Sequence, residues 1–192
     1  MGGFFGAASR RNCVLDVFFG TDYHSHLGTR RGGMAAWDKD VGMQREIHNI
    51  QNSPFRTKFE GIVSEMTGTT AIGCISDTDP QPILIRSRLG VYAICTIGII
   101  NNAETLIQTH LHSSGGHFDS MTGGRVNSNE LIAAFIDQKD SFADGIRYAQ
   151  DMIEGTASIL IMKDGGHLIA ARDKMGRLPI VIEKNEDGYA VT

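Results

Sequence analysis

Three cysteines, seven histidines and the run Ser76-Asp77-Thr78-Asp79 are the residues of this 192-residue chain best suited to act as nucleophiles, bases or ligands. Cys13, Cys74 and Cys95 are an odd number with no C-x-x-C spacing, so neither a zinc site nor a disulfide framework is indicated, and a reducing compartment is expected. Cys74 and Cys95 stand in apolar runs and read as inert core thiols, whereas Cys13 opens a helical pattern as a small, half-buried residue. His24 and His26 lie near Asp22, and His110, His112 and His117 lie near Asp119 in a Gly/Ser-rich stretch. A metal needs three or four converging ligands, which spacing alone does not supply, so these read as solvated histidines and no metal or cofactor is expected. The Ser-Asp-Thr-Asp run is acidic enough to attract a cation or an amine, yet without an identifiable base it reads as a hydrophilic turn. Gly32-Gly33 and Gly123-Gly124 lack the flanking residues of a phosphate loop and read as turns.

These residues need elements to hold them. Residues 2–8 read as a short buried strand, residues 13–26 as a helix ending at Gly28, and residues 34–37 with 43–47 as a hairpin. Pro54 opens a helix to Met66 carrying Phe55, Phe59, Ile62 and Val63 on one face. Strands are expected over 71–75, 83–86 and 91–96, and helices over 103–111, 128–136 and 141–153, with Asn127 and Asp140 capping the last two. Strands over 157–162, 167–172, 179–183 and 189–191 close the chain, with a hairpin turn at Asp164-Gly165-Gly166. Mixed strands and helices followed by a run of antiparallel strands give an α+β fold, with two sheets between helical layers, in one domain spanning 1–192.

Composition excludes several partners. The net charge is -4 and the basic clusters are only Arg10-Arg11 and Arg30-Arg31, too short for a nucleic-acid or anionic-membrane surface. Phe4, Phe5, Ala7 and Ala8 precede basic residues rather than follow them, the wrong order for a signal peptide, and no apolar run reaches the length of a membrane span. Gly6 occupies the position where myristoylation requires Ser or Thr. A soluble, cytoplasmic protein is expected.

The segment Leu168-Ile169-Ala170-Ala171-Arg172-Asp173-Lys174-Met175-Gly176-Arg177-Leu178-Pro179 resembles the L-x-A-A-R-D-P-x-G-x-R-P-L stretch of class II (Ntn-type) glutamine amidotransferases. Gly155-Thr156-Ala157-Ser158 before it is similar to the family's G-A-Y-S strand, and Met1-Gly2-Gly3-Phe4-Phe5-Gly6 stands where the family has M-C-G-I-F-G. Phe18-Phe19-Gly20 through Met34 runs parallel to Y-G-L-x-x-L-Q-H-R-G-Q-E-S-A-G-I, with His26 and Gly28 matching. Residues 73–78, Thr96-Ile97-Gly98-Ile99 and residues 127–131 fall in order on G-H-x-R-Y-x-T, H-N-G-N and S-D-T-E-V. The likeness covers essentially the whole chain, and its spacing favours the amidophosphoribosyltransferase branch.

The resemblance implies a four-layer αββα sandwich and a pocket at Gly2, His26, Leu27, Gly28, Ser76, Thr78, Ile97, Gly98 and Ser128. In the family an N-terminal cysteine attacks the glutamine amide carbon; Gly2 stands in its place and has no side chain. The family's carboxylate-clamping arginine falls on Ser76, the arginine of H-R-G on Leu27, the oxyanion-hole asparagine on Ile97 and the amine-holding aspartate on Ser128. Leu27 and Ile97 are thus expected in the pocket lining, and Arg172-Asp173 as a structural ion pair and turn. The family's phosphoribosyl-pyrophosphate-binding domain has no counterpart in these residues, so a fragment or stand-alone domain is expected. Two functions compete: a non-catalytic domain serving a phosphoribosyltransferase domain or protein as structural or regulatory partner, with a small-molecule ligand or a homo-oligomer contact as further roles, and an active ammonia-supplying glutaminase. Different chemistry built on residues 76–79 is a third.

Overall fold

The structure, a computed structural model, describes residues 2–192. Strands and helices are numbered in chain order. The first sheet runs β11 (Ile182–Lys184), β12 (Gly188–Val191), β1 (Gly2–Ser9), β4 (Thr70–Ser76), β2 (Arg31–Asp38), β3 (Gly42–Asn49). The second runs β10 (His167–Ala171), β9 (Gly155–Lys163), β6 (Gly90–Ile100), β5 (Ile83–Ser87), and a small ribbon pairs β7 (Met121–Thr122) with β8 (Arg125–Val126). All these pairings are antiparallel, as expected for an α+β chain ending in a run of strands.

Every residue of β4 is buried, so its side chains have no solvent face. That follows from its place at the middle of the first sheet, covered on both sides. One apolar cluster joins the outer face of this sheet to α1 (Val14–Tyr23), α2 (Phe55–Phe59) and α3 (Ile62–Glu65) through Val17, Phe18, Phe55, Phe59 and Ile75. A second lies between the sheets, built on Phe4, Ile72, Ala93, Leu160 and Met162. A third joins the second sheet to α4 (Ala103–Ser114), α5 (Ser128–Ile136) and α6 (Phe142–Met152) through Ile94, Leu106, Leu131, Ile146 and Ile159.

Local chemistry explains three departures from the sequence expectations. The single helix expected over 54–66 is broken between Phe59 and Ile62, where Gly61 offers the poorest helix propensity in the segment after Pro54. Ser141, not Asp140, caps α6: its Oγ accepts the Asp144 N–H at 3.1 Å and donates to the Asp144 carboxylate at 2.7 Å, a reciprocal cap that Asp140 is one residue too early to make. β6 extends to Ile100 because β9 continues to pair with it as far as Gly155, and this extension carries Ile97 and Gly98. Among the described residues, no helix is long and apolar enough to cross a membrane.

Candidate functional site

β1 and β4 are neighbours in register, with Gly2 opposite Ser76, and β2 brings Arg31 opposite Ser76 from the other side. Across the gap between the sheets, Ile97 of β6 approaches the same point: a Cβ built on Gly2 would lie 3.1 Å from Ile97 Cδ1 and 2.2 Å from the Ile75 carbonyl oxygen. The structure therefore brings Gly2, Ser76 and Ile97 together, and it fills the space a side chain at Gly2 would need. Contacts this short to a main-chain oxygen require the backbone to move.

Beyond β4 the chain turns through Thr78 and Asp79 toward α5. Ser76 Oγ accepts the Thr78 N–H at 3.2 Å and lies 3.3 Å from Thr78 Oγ1, an ST-turn that folds the segment back. Asp77 Oδ1 accepts the Thr29 N–H at 2.7 Å, which holds its carboxyl below the ordinary range and ties this turn to the start of β2. Asn127 caps α5 by accepting the Asn129 N–H at 2.9 Å and donates Nδ2–H to the Pro80 carbonyl at 2.8 Å. Asp79, 8% exposed, accepts the Ser128 N–H at 3.1 Å through Oδ2. Gln81 donates to the Thr96 carbonyl at 3.1 Å and accepts the Thr96 N–H at 2.8 Å, while Thr96 Oγ1 donates to Asn129 at 2.8 Å. This buried polar network fixes the 77–82 turn to β6 and α5. At Gly33 a Cβ would stand 1.9 Å from the Gln81 carbonyl oxygen, so only glycine lets β2 pass this close to the turn.

Thr78, Asp79, Gly98 and Ser128 line a cavity of about 700 Å³ together with residues of α4 and the β7–β8 ribbon. Its walls are mostly apolar, including Ile99, Ile107, Leu111, Phe118 and Val126. Leu27 and Ile97, expected in a pocket lining, are not among its lining side chains. Leu27 lies with His26 in the 3-10 turn His24–Leu27 that follows α1, and Gly28 is extended and buried beyond it. The exposed His26 ring bonds the Tyr23 carbonyl through Nδ1 at 2.7 Å, while His24 reaches Thr192 Oγ1 at 3.0 Å. Of the nine candidate positions, the fold thus places Gly2, Ser76 and Ile97 at one point, Thr78, Gly98 and Ser128 around a cavity, His26 and Leu27 in the 3-10 turn after α1, and Gly28 just beyond that turn.

Two expectations about neighbouring groups change. Asp173 does not pair with Arg172; its buried carboxylate accepts the backbone N–H groups of Ala157 and Arg177 at 3.3 and 3.1 Å, and its own N–H donates to Ser158 Oγ at 3.0 Å. Cys13 is fully buried rather than half buried, with Sγ against the carbonyls of Gly68 and Ala7, and burial pushes its thiol up to about 12. Cys74 is also fully buried and pushed well up, chiefly by burial. Sequence reasoning read Asp79 only as part of a hydrophilic turn and missed the roles of Gln81, Thr96 and Asn129. Hydrogen bonds between distant segments leave no local period to read.

No protein-family model matches the chain, and no curated protein sequence matches it. Solved structures do. A glutamine phosphoribosylpyrophosphate amidotransferase from B. subtilis complexed with ADP and GMP aligns over 100% of this chain and 41% of its own, at 24% identity and a TM-score of 0.81. A structure described as the allosteric regulatory enzyme of purine biosynthesis aligns over the same shares at 24% identity and a TM-score of 0.83. A glutamine aminotransferase class-II domain protein from Silicibacter pomeroyi aligns over 100% of this chain and 87% of its own, at 14% identity and a TM-score of 0.65. The chain therefore has the fold of class II (Ntn-type) glutamine amidotransferase domains and spans about 41% of the length of the first two proteins.

Proposed function

We propose that this chain is an amidotransferase-type domain of the amidophosphoribosyltransferase kind that has lost glutamine hydrolysis and serves a phosphoribosyltransferase domain or protein as a structural or regulatory element. One observation carries the reading: at the position of the family's cysteine nucleophile stands Gly2, and a Cβ there would lie 2.2 Å from the Ile75 carbonyl oxygen. The surroundings support it. Ser76 offers no guanidinium to a carboxylate, the Ile97 side chain offers no N–H to an oxyanion, and Cys13 is buried with a thiol that stays protonated near neutral pH. Losing one oxyanion donor alone costs about 10²–10³ in rate. Three free, buried cysteines fit a reducing cytoplasm.

The test is ammonia release from glutamine by the purified protein, alone and with a phosphoribosyltransferase partner, read as NADPH consumed in the coupled reductive amination of 2-oxoglutarate. The account expects no release above the uncatalysed rate in either case, and co-elution of the two proteins on gel filtration. The alternative, an active ammonia-supplying domain, rests on the whole-chain likeness in fold and is the reading that release would favour.

A further inference from the structure

α1 is apolar on two sides. Val14, Val17 and Phe18 are buried against the first sheet and α2. Leu15, Phe19 and Tyr23, four residues apart, form a stripe on the far side and are 56%, 56% and 77% exposed. At about 100° per residue, the two sides are centred roughly 150° apart. A surface helix ordinarily turns polar residues outward, and one that is apolar all round is covered. The charges on α1 are Asp16 and Asp22, which flank the stripe on opposite sides, and each already has a partner. Asp16 pairs with Arg11 at 3.1 Å, and Asp22 pairs with Arg56 at 2.6 Å. Arg56 also reaches over Phe19, its Cζ 5.9 Å from the ring centroid.

This surface is complementary to itself. A two-fold axis at Phe19 sets two such helices antiparallel, with Phe19 on its own counterpart and Leu15 on Tyr23 of the other copy. Antiparallel packing also brings each helix N-terminus toward the other's C-terminus. The same axis lays the two Asp22 flanks side by side, so that Arg56 stands between its own Asp22 and that of the second copy. Charges then alternate along the seam, and none is desolvated without a partner. A fully covered aromatic side chain buries about 150–250 Å², so the stripe offers on the order of 400 Å². That is about half the ~800 Å² per partner of a standard interface, which fits a reversible contact and not an obligate one.

We infer that α1 is a contact between two copies of this chain, packed antiparallel about a two-fold axis at Phe19. The inference goes beyond the reading above and does not rest on it, since no residue of the stripe lines the cavity of about 700 Å³.

Sedimentation of the intact chain from about 1 to 500 μM tests it. The mass is expected to rise from that of one chain toward that of two, with a midpoint of about 10–100 μM, and to stop there because an isologous contact closes. Phe19→Asp is expected to move the midpoint upward about 10-fold or more. Tyr23→Glu makes the same test at the end of the stripe if Phe19→Asp does not fold. Arg56→Asp is expected to weaken the dimer, and the exchanged pair Asp22→Arg with Arg56→Asp to restore it to within about 3-fold, which loss of apolar area alone would not produce. A single chain at every concentration, growth beyond two, or a dimer indifferent to both folded stripe variants would overturn the inference. So would a native chain that stays single while Phe19→Asp abolishes its co-elution with a phosphoribosyltransferase, an outcome that would give the stripe to that partner.

Discussion

Gly2 stands opposite Ser76 in the β1–β4 ladder, and the Ile75 carbonyl oxygen comes within 2.2 Å of where a Cβ on Gly2 would stand. The neighbouring Ile97 Cδ1 would lie 3.1 Å from the same atom. A missing side chain and an occupied space are different conditions. The first is repaired by substitution; the second is not.

Gly2→Ala and Gly2→Cys are therefore expected to lower stability by about 1–3 kcal/mol, the usual cost of overpacking a well-filled site. Urea unfolding checks this, with a lower midpoint at unchanged slope. Gly2→Cys is also expected to release no ammonia from glutamine, because Ser76 and Ile97 remain where a carboxylate clamp and an oxyanion donor would be needed.

Asp173 holds the turn after β10 by accepting two backbone N–H groups. Asp173→Ala leaves the buried Ala157 N–H and the part-buried Arg177 N–H without this acceptor and is expected to cost about 1–3 kcal/mol in urea unfolding. Asp173→Asn keeps one acceptor oxygen and should cost clearly less. Arg172→Ala should be close to neutral, since Arg172 does not hold the carboxylate.

The buried cysteines should resist alkylation. With the Cys13 thiol raised to about 12, only about one molecule in 10⁴ carries a thiolate there at pH 8. Iodoacetamide is expected to leave the native protein unmodified on the hour scale and to add three groups per chain in denaturant, matching the three cysteines. A single fast adduct on Cys13 in the native protein would return it to consideration as a nucleophile.

Asp77 gives a pH dependence of known sign. Its folded pKa lies below the ordinary 3.8, chiefly because it accepts the Thr29 N–H. A depressed carboxylate adds stability that is fully present above its unfolded pKa and is lost as pH falls through the folded value. The difference in urea midpoint between the native chain and Asp77→Asn should be constant from pH 7 to about pH 5 and should shrink toward zero below about pH 3. A difference that grew on acidification would contradict the assignment.

Much of the fold was legible because its signals are local. The helix over 128–136 follows from the Asn127 cap and an apolar run, and the β2–β3 hairpin from the turn residues between two strands. The break near Gly61 and the Ser141 cap depend on single residues whose effects compete with their neighbours'. The site was legible in part for the same reason. Gly2, Ser76 and Ile97 were named through the likeness of their segments to the family's motifs, but the Gln81–Thr96–Asn129 network joins segments far apart in sequence. Asp79 read as one charge in a hydrophilic turn, because its burial depends on where α5 begins in space.

The most direct test of the central claim is intact-mass analysis after prolonged exposure of the native protein to a diazoketone analogue of glutamine, which alkylates an amidotransferase nucleophile. The account predicts an unchanged mass, since the chain presents Gly2 at the strand position and keeps its three thiols buried. A stoichiometric adduct mapped to the N-terminal peptide or to Cys13 would contradict it.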